Sequence, residues 1–161
     1  MSERENLELA ACELFVPLLN ELRSTTYAIA KHQDRPDFVI KDDSTESEIG
    51  VEVSHLFYDR KEAKMRLGRG EPKKPHGVMN SNTMIAELNH LLQKKASDAL
   101  EYSFDGQLFL LIRVASVIYD KGDFEMYIED IVVPCKPFVE IWLLAYAENP
   151  VRKAWALLKL L

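Results

Sequence analysis

Little in this chain points to metal–sulfur, disulfide or membrane chemistry. It has two cysteines, Cys12 and Cys135, too few and too far apart for a disulfide framework or a zinc knuckle. Both read as small buried apolar residues. The four histidines are scattered, with no His-Glu-x-x-His helix, and the six glycines form neither a Gly-x-x-x-x-Gly-Lys phosphate loop nor a Gly-x-Ser-x-Gly elbow. No stretch approaches the run of about 20 apolar residues that spans a bilayer. The charged start, Ser2 to Glu8, does not read as a signal peptide, so the expectation is a cytoplasmic protein with no membrane partner. At 161 residues the chain is sized for a single domain, 1–161, with a sizeable core.

What is present begins with two alternating strands. In Arg35-Pro36-Asp37-Phe38-Val39-Ile40, a period of two puts Asp37, Val39 and Lys41 on one face and Phe38 and Ile40 on the other. In Ile49-Gly50-Val51-Glu52-Val53-Ser54, Ile49, Val51 and Val53 share a face, and Gly50, Glu52 and Ser54 share its opposite. Asp42 to Ser47 between them is polar and turn-like. As a hairpin, the strands bring Asp37 and Glu52 together. Two carboxylates with no salt-bridge partner nearby in sequence are hard oxygen ligands suited to Mg²⁺, with Mn²⁺ as a substitute.

Pro36-Asp37 followed by Glu52-Val53-Ser54 resembles the core motif of the PD-(D/E)XK nuclease superfamily, a Pro-Asp on one strand and (Asp/Glu)-x-Lys on the next. The resemblance implies metal ligation by Asp37 and Glu52, with the Val53 carbonyl completing the set. Ser54 stands where the family usually has lysine and is assigned to a metal-coordinated water. Some members carry that lysine on the following helix. A helix is expected over Asn82 to Tyr102, its inward stripe Ile85, Leu88, Leu92, Lys95, Ala99 and Tyr102 interrupted by one cation. Lys95 is therefore the expected catalytic lysine, whereas Lys94 falls on a polar surface with Glu87 and Asp98.

The family often adds a glutamate from the first helix. Glu3 to Arg23 has helical spacing, with Leu7, Ala11, Leu14, Leu18 and Leu22 as its buried stripe and Pro17 as a potential kink. Asn6, Glu13 and Asn20 form the polar strip. Glu13 is its only mid-helix carboxylate and the candidate, with Glu21 as the alternative.

The net charge of −6 opposes phosphate binding overall, but its distribution does not. A loop over 60–77 carries Arg60, Lys61, Lys64, Arg66, Arg69, Lys73 and Lys74 against Glu62 and Glu71. It lies between the Glu52 strand and the Lys95 helix, placed to hold a nucleic-acid backbone, DNA before RNA, across the carboxylates. His55, on the opposite strand face from Ser54, reads as packing or surface.

Gln107 to Ala115 and Val139 to Ala147 are nearly continuous apolar runs, as in strands covered on both faces. Asp123 to Val133 between them has the spacing of a crossover helix. The expected fold is α/β, a central mixed sheet flanked by helices in the order α-β-β-β-α-β-α-β, which matches the restriction-endonuclease-like core of the superfamily. The tail, Val151 to Leu161, is a final strand or helix whose apolar end suits a homodimer or a protein partner. The function implied is a metal-dependent nuclease. The rival is the same scaffold used to bind nucleic acid or protein without turnover.

Overall fold

The computed structural model describes residues 1–57, 81–115, 118–148 and 153–161. They form α1 (Glu3–Arg23), β1 (Tyr27–His32), β2 (Phe38–Asp42), β3 (Glu48–Leu56), α2 (Ser81–Ala99), β4 (Gln107–Val114), α3 (Lys121–Met126), a 3₁₀ turn (Ile128–Asp130), β5 (Glu140–Glu148) and β6 (Lys153–Lys159). The strands make one six-stranded sheet in chain order. β2 runs antiparallel to both β1 and β3, β3, β4 and β5 are mutually parallel, and β6 returns antiparallel to β5.

This topology explains the layering. Both parallel connections step in the same direction along the sheet, so crossovers of one hand place α2 and α3 on the same face. There Leu88 and Leu92 of α2 and Phe124 of α3 pack with Leu110 and Ile112 of β4 and Leu143 of β5. On the opposite face Ala11, Cys12, Phe15 and Leu19 of α1 pack with Phe38, Ile40, Val51, Phe109 and Leu111. The result is a mixed α/β protein in three layers.

Local chemistry fixes the element ends. Ser2 caps α1 through a reciprocal capping box with Glu5. The Asn20 side chain donates to the Tyr27 carbonyl and accepts from the Tyr27 N–H, at 2.9 and 2.8 Å, pinning β1 to the helix that precedes it. In the β2–β3 turn, Asp42 accepts from the hydroxyls of Thr26 and Ser44 and from the Ser44 N–H.

Several expectations shift. The buried line of α1 is Glu8, Ala11, Cys12, Phe15, Val16 and Leu19, and Leu22 is exposed, so the helix is turned about one residue from the leucine stripe. Its helical run continues through Pro17. The helix expected over 123–133 is a short α3, started by an Asp120–Asp123 capping box, followed by the 3₁₀ turn. The tail is a strand, so the order gains β6 at the sheet edge. Its Trp155 and Leu157 pack, partly buried, on the α1 face and Leu158, Leu160 and Leu161 on the α2 face. No helix among the described residues is long and apolar enough to cross a membrane. The basic loop, 60–77, with Lys61, Lys64, Arg66, Arg69, Lys73 and Lys74, lies outside the described residues.

Gly50 is a packing requirement rather than a turn. A Cβ there would come within 2.7 Å of Pro36 Cγ and 2.9 Å of Leu108 Cδ2 and Phe104 Cε1. Gly50→Ala is expected to destabilise the fold by roughly 1–3 kcal/mol through overpacking. Urea unfolding checks this, and an unchanged midpoint would show that Pro36 is not seated on Gly50.

Candidate functional site

The site arises where the β2–β3 ladder stops. Phe38 pairs with Val51 and Ile40 with Ile49, so the next ladder partner of Val53 would be Pro36. Proline has no N–H to donate to the Val53 carbonyl, and the ladder pairing itself ends at Phe38–Val51. In a strand the N–H and C=O of one residue point to the same edge, so Val53 presents both groups there without a β2 partner. Asp37 fills half of that gap: its Oδ2 accepts the Val53 N–H at 2.9 Å. The Val53 carbonyl is left with no ladder donor from β2. Asp37 and Val53 thus meet through a bond between side chain and backbone.

Glu52 projects from β3 on the α2 face and is 5% exposed. Tyr102, just past α2, donates its hydroxyl to Glu52 Oε2, and Lys95 Nζ lies 3.6 Å from the same oxygen. Lys95 sits beside the buried line of α2, made by Leu88, Leu92, Ala96 and Ala99, which aims it inward. Both contacts fall on one carboxylate oxygen. The other, Oε1, is buried with no hydrogen-bond partner among the described residues. An orphaned anionic oxygen beside a second buried carboxylate fits a cation.

Of the α1 glutamates the structure buries Glu8 beside the site rather than the expected Glu13. Glu13 is exposed, because the helix is rotated from the leucine stripe, and it lines none of the cavities around Asp37 and Glu52. The same rotation buries Glu8 to 4% exposure. Arg4, one turn earlier, donates from Nε to Glu8 Oε1 at 2.7 Å. The signal in the sequence was the line Ala11, Cys12, Phe15 and Leu19, whose residue types favour burial and which extends back to position 8. Ser54 is buried and lines a cavity together with Lys95 and Glu8, and Lys94 lines the same wall.

The electrostatics are those of crowded acids. Burial first, then the charges of Glu52 and Glu8 and a hydrogen bond that the protonated Asp37 makes to Glu52, push the Asp37 carboxyl up to about 7, against the opposing pull of the Val53 N–H. Burial and the hydrogen bond to Glu52 raise the Tyr102 phenol, which keeps it a donor. His55, across the sheet from Ser54, is pushed down to about 4 by burial and by the Arg113 charge, so it is neutral near pH 7. Arg113 Nε donates to His55 Nδ1 at 3.1 Å, which fixes the imidazole proton on Nε2.

Among the described residues no three His, Cys, Asp or Glu side chains form a ready-made metal cage. A cation here would therefore be held by Asp37, Glu52, the Val53 carbonyl and water. Mg²⁺ commonly binds in this way, through one or two carboxylates and several retained waters. Compared with known proteins, the chain matches no family model, no curated protein and no solved structure.

The Asp37 shift has a measurable consequence. Its native carboxyl titrates near 7 and its ordinary value is 3.8, so between those values the native state holds more protons than the unfolded one. Stability from this group is full below the lower value and is lost as pH rises through the upper. In EDTA, Asp37→Asn is expected to lack this loss, so its unfolding temperature gains on the parent between pH 4 and pH 7.5, a window set by the shift. Parallel curves for the two proteins would contradict the crowding.

Proposed function

We propose that the protein is a metal-dependent phosphodiesterase acting on nucleic acid, DNA before RNA, built on a restriction-endonuclease-like variant of the α/β fold. The observation that carries this reading is the orphaned Glu52 Oε1 beside Asp37, with Lys95 and Tyr102 both engaged on the other oxygen of Glu52. Asp37, Glu52 and the Val53 carbonyl would hold Mg²⁺ or Mn²⁺. A divalent cation bound there supplies charge neutralisation at the phosphate and lowers the pKa of a coordinated water.

The chain's own groups do the rest. Tyr102 holds Glu52 by Oε2 and leaves Oε1 unpartnered among the described residues. Lys95 brings positive charge to the pair from α2, supplying from the helix the cation that Ser54 does not supply from β3. It orients the attacking water and offsets charge that develops on the phosphate oxygens. Ser54, buried on the same strand face two residues after Glu52, offers a hydroxyl to a water of the site. Glu8 brings a third negative charge toward Asp37 and is itself balanced by Arg4.

The chain's acidity does not oppose a polyanionic substrate at this place. Arg4, Arg35, Lys94 and Lys95 line one cavity with Asp34, Asp37, Glu52, Asp98 and Glu101, so cations are present there for a phosphate and a bound divalent cation would offset the acids. The binding module without turnover is the weaker reading, because it predicts no lysine at the carboxylates, and Lys95 is within ion-pair distance of Glu52.

The test separates binding from chemistry. Calorimetry should give Mg²⁺ and Mn²⁺ binding to the parent that is lost in Asp37→Ala. Glu52→Gln should keep the fold and lose metal-dependent cleavage of DNA by about 100-fold or more, the scale of removing one electrostatic group from an active site. Lys95→Met should lose cleavage on a similar scale while retaining metal. Cleavage by Glu52→Gln at the parent rate would refute the assignment, and metal binding without cleavage on any DNA or RNA substrate would favour the binding module.

A further inference from the structure

Three cavities meet around the carboxylates, and Arg4 is a wall of all three. They differ in chemistry. The cavity holding both Asp37 and Glu52, about 390 Å³, is lined by charged side chains and Tyr102. Its neighbour, about 560 Å³, shares Arg4, Lys94 and Lys95 but is closed by Leu7, Phe57 and Leu91. One recess is therefore ionic and the adjoining one is mixed, lined by Glu3 and Glu8 as well as the shared cations and, as its apolar side, by Leu7, Leu91 and Phe57.

The shared cations are available. Arg4 spends only Nε on Glu8, and its terminal nitrogens have no partner among the described residues. Glu8 is buried and so anchors the guanidinium at the mouth of the cleft. Lys94, exposed on α2, faces the same two cavities and makes no ion pair among the described residues. The two come from opposite layers of the protein, α1 and α2. Between them they present a fork and a point charge, both suited to a phosphate.

The apolar side suits a base. Phe57 offers an aromatic ring, and Leu7 and Leu91 exclude water. His55 in the same wall carries a proton on Nε2, a buried donor with no partner among the described residues. An unsatisfied buried donor is costly, and a small local shift that lets a base oxygen or nitrogen reach it removes that cost. A base inside a duplex is stacked on both faces and cannot enter such a recess, whereas an unstacked base can.

We propose that this recess is a nucleotide pocket, taking the base and sugar of one unstacked nucleotide against Phe57 and Leu91 while Arg4 and Lys94 hold the adjoining phosphate over Asp37 and Glu52. This rests on the phosphodiesterase reading and narrows its substrate to single-stranded DNA or to a strand that frays at the site. Arg4 acts on the substrate directly, and Glu8 positions it.

The test uses the full chain with Ca²⁺ in place of Mg²⁺, to hold the substrate without turnover. The probes are thymidine 5′-monophosphate, inorganic phosphate, and a short DNA oligonucleotide single-stranded or in a blunt duplex. The parent should bind the nucleotide more tightly than phosphate and the single strand more tightly than the duplex. Phe57→Ala should weaken nucleotide binding by about tenfold, on the scale of losing one base–aromatic stack, and leave phosphate binding unchanged. Lys94→Gln, at an exposed helix position that preserves the fold, should weaken nucleotide and phosphate alike, as should Arg4→Gln. Equal parent affinity for nucleotide and phosphate, or no effect of either Phe57→Ala or Lys94→Gln on the nucleotide, would overturn the pocket. A parallel Mg²⁺ cleavage assay separates the two claims. Selective nucleotide binding without cleavage leaves the pocket standing and removes the phosphodiesterase, and cleavage without nucleotide selectivity does the reverse.

Discussion

The hydrogen bond from the Val53 N–H to the Asp37 carboxylate is the interaction on which the site depends. The β2–β3 ladder stops at the Phe38–Val51 pair, and past it the Asp37 side chain takes the Val53 N–H while Pro36, with no N–H, offers no donor to the Val53 carbonyl. That arrangement brings one carboxylate to the strand edge, leaves a main-chain carbonyl beside it, and fixes its distance from Glu52 on the same sheet face. Gly50 makes it possible by leaving room for the Pro36 ring. The packing of one strand pair thereby sets the chemistry of the cleft.

The two helical layers then complete the arrangement from opposite sides. α2 contributes Lys95, and the segment after it Tyr102, both directed at one oxygen of Glu52. α1 contributes Arg4 and Glu8 across the end of the sheet. The outcome is a cleft in which buried acids outnumber the cations in contact with them. Asp37 answers by holding its proton up to about pH 7, and Glu52 by leaving Oε1 without a partner. A bound divalent cation would relieve both at once, which is why the same observations that look like stored cost in the free protein read as affinity for a metal. Arg4 is paired with Glu8 through Nε alone, and Lys94 makes no ion pair among the described residues, so both keep donors that the proposed phosphate would use.

Much of this was legible in residue order, and the failures have physical causes. Alternation in 37–41 and 49–54 put Asp37 and Glu52 on one face, and period-two patterning is reliable when one face is buried. The interruption of the α2 stripe marked Lys95, because a lysine in an apolar line must either snorkel or meet a charge, and here it meets Glu52. The α1 reading failed through excess: leucines occur on several sides of that helix, so their periodicity did not define its orientation. The buried line instead follows Ala11, Cys12, Phe15 and Leu19, which exchanges Glu13 for Glu8. Tyr102 appeared as the end of an apolar stripe, and nothing local in the sequence shows that its hydroxyl reaches a strand 50 residues earlier. β6 was left open between strand and helix because an apolar tail has no period of its own until it finds the free edge of β5.

The most direct test of the central claim is the anomalous difference map of a crystal soaked in Mn²⁺. The account expects a peak in contact with Asp37, Glu52 Oε1 and the Val53 carbonyl. No peak at that position, or a manganese site formed elsewhere while this one stays empty, would contradict it.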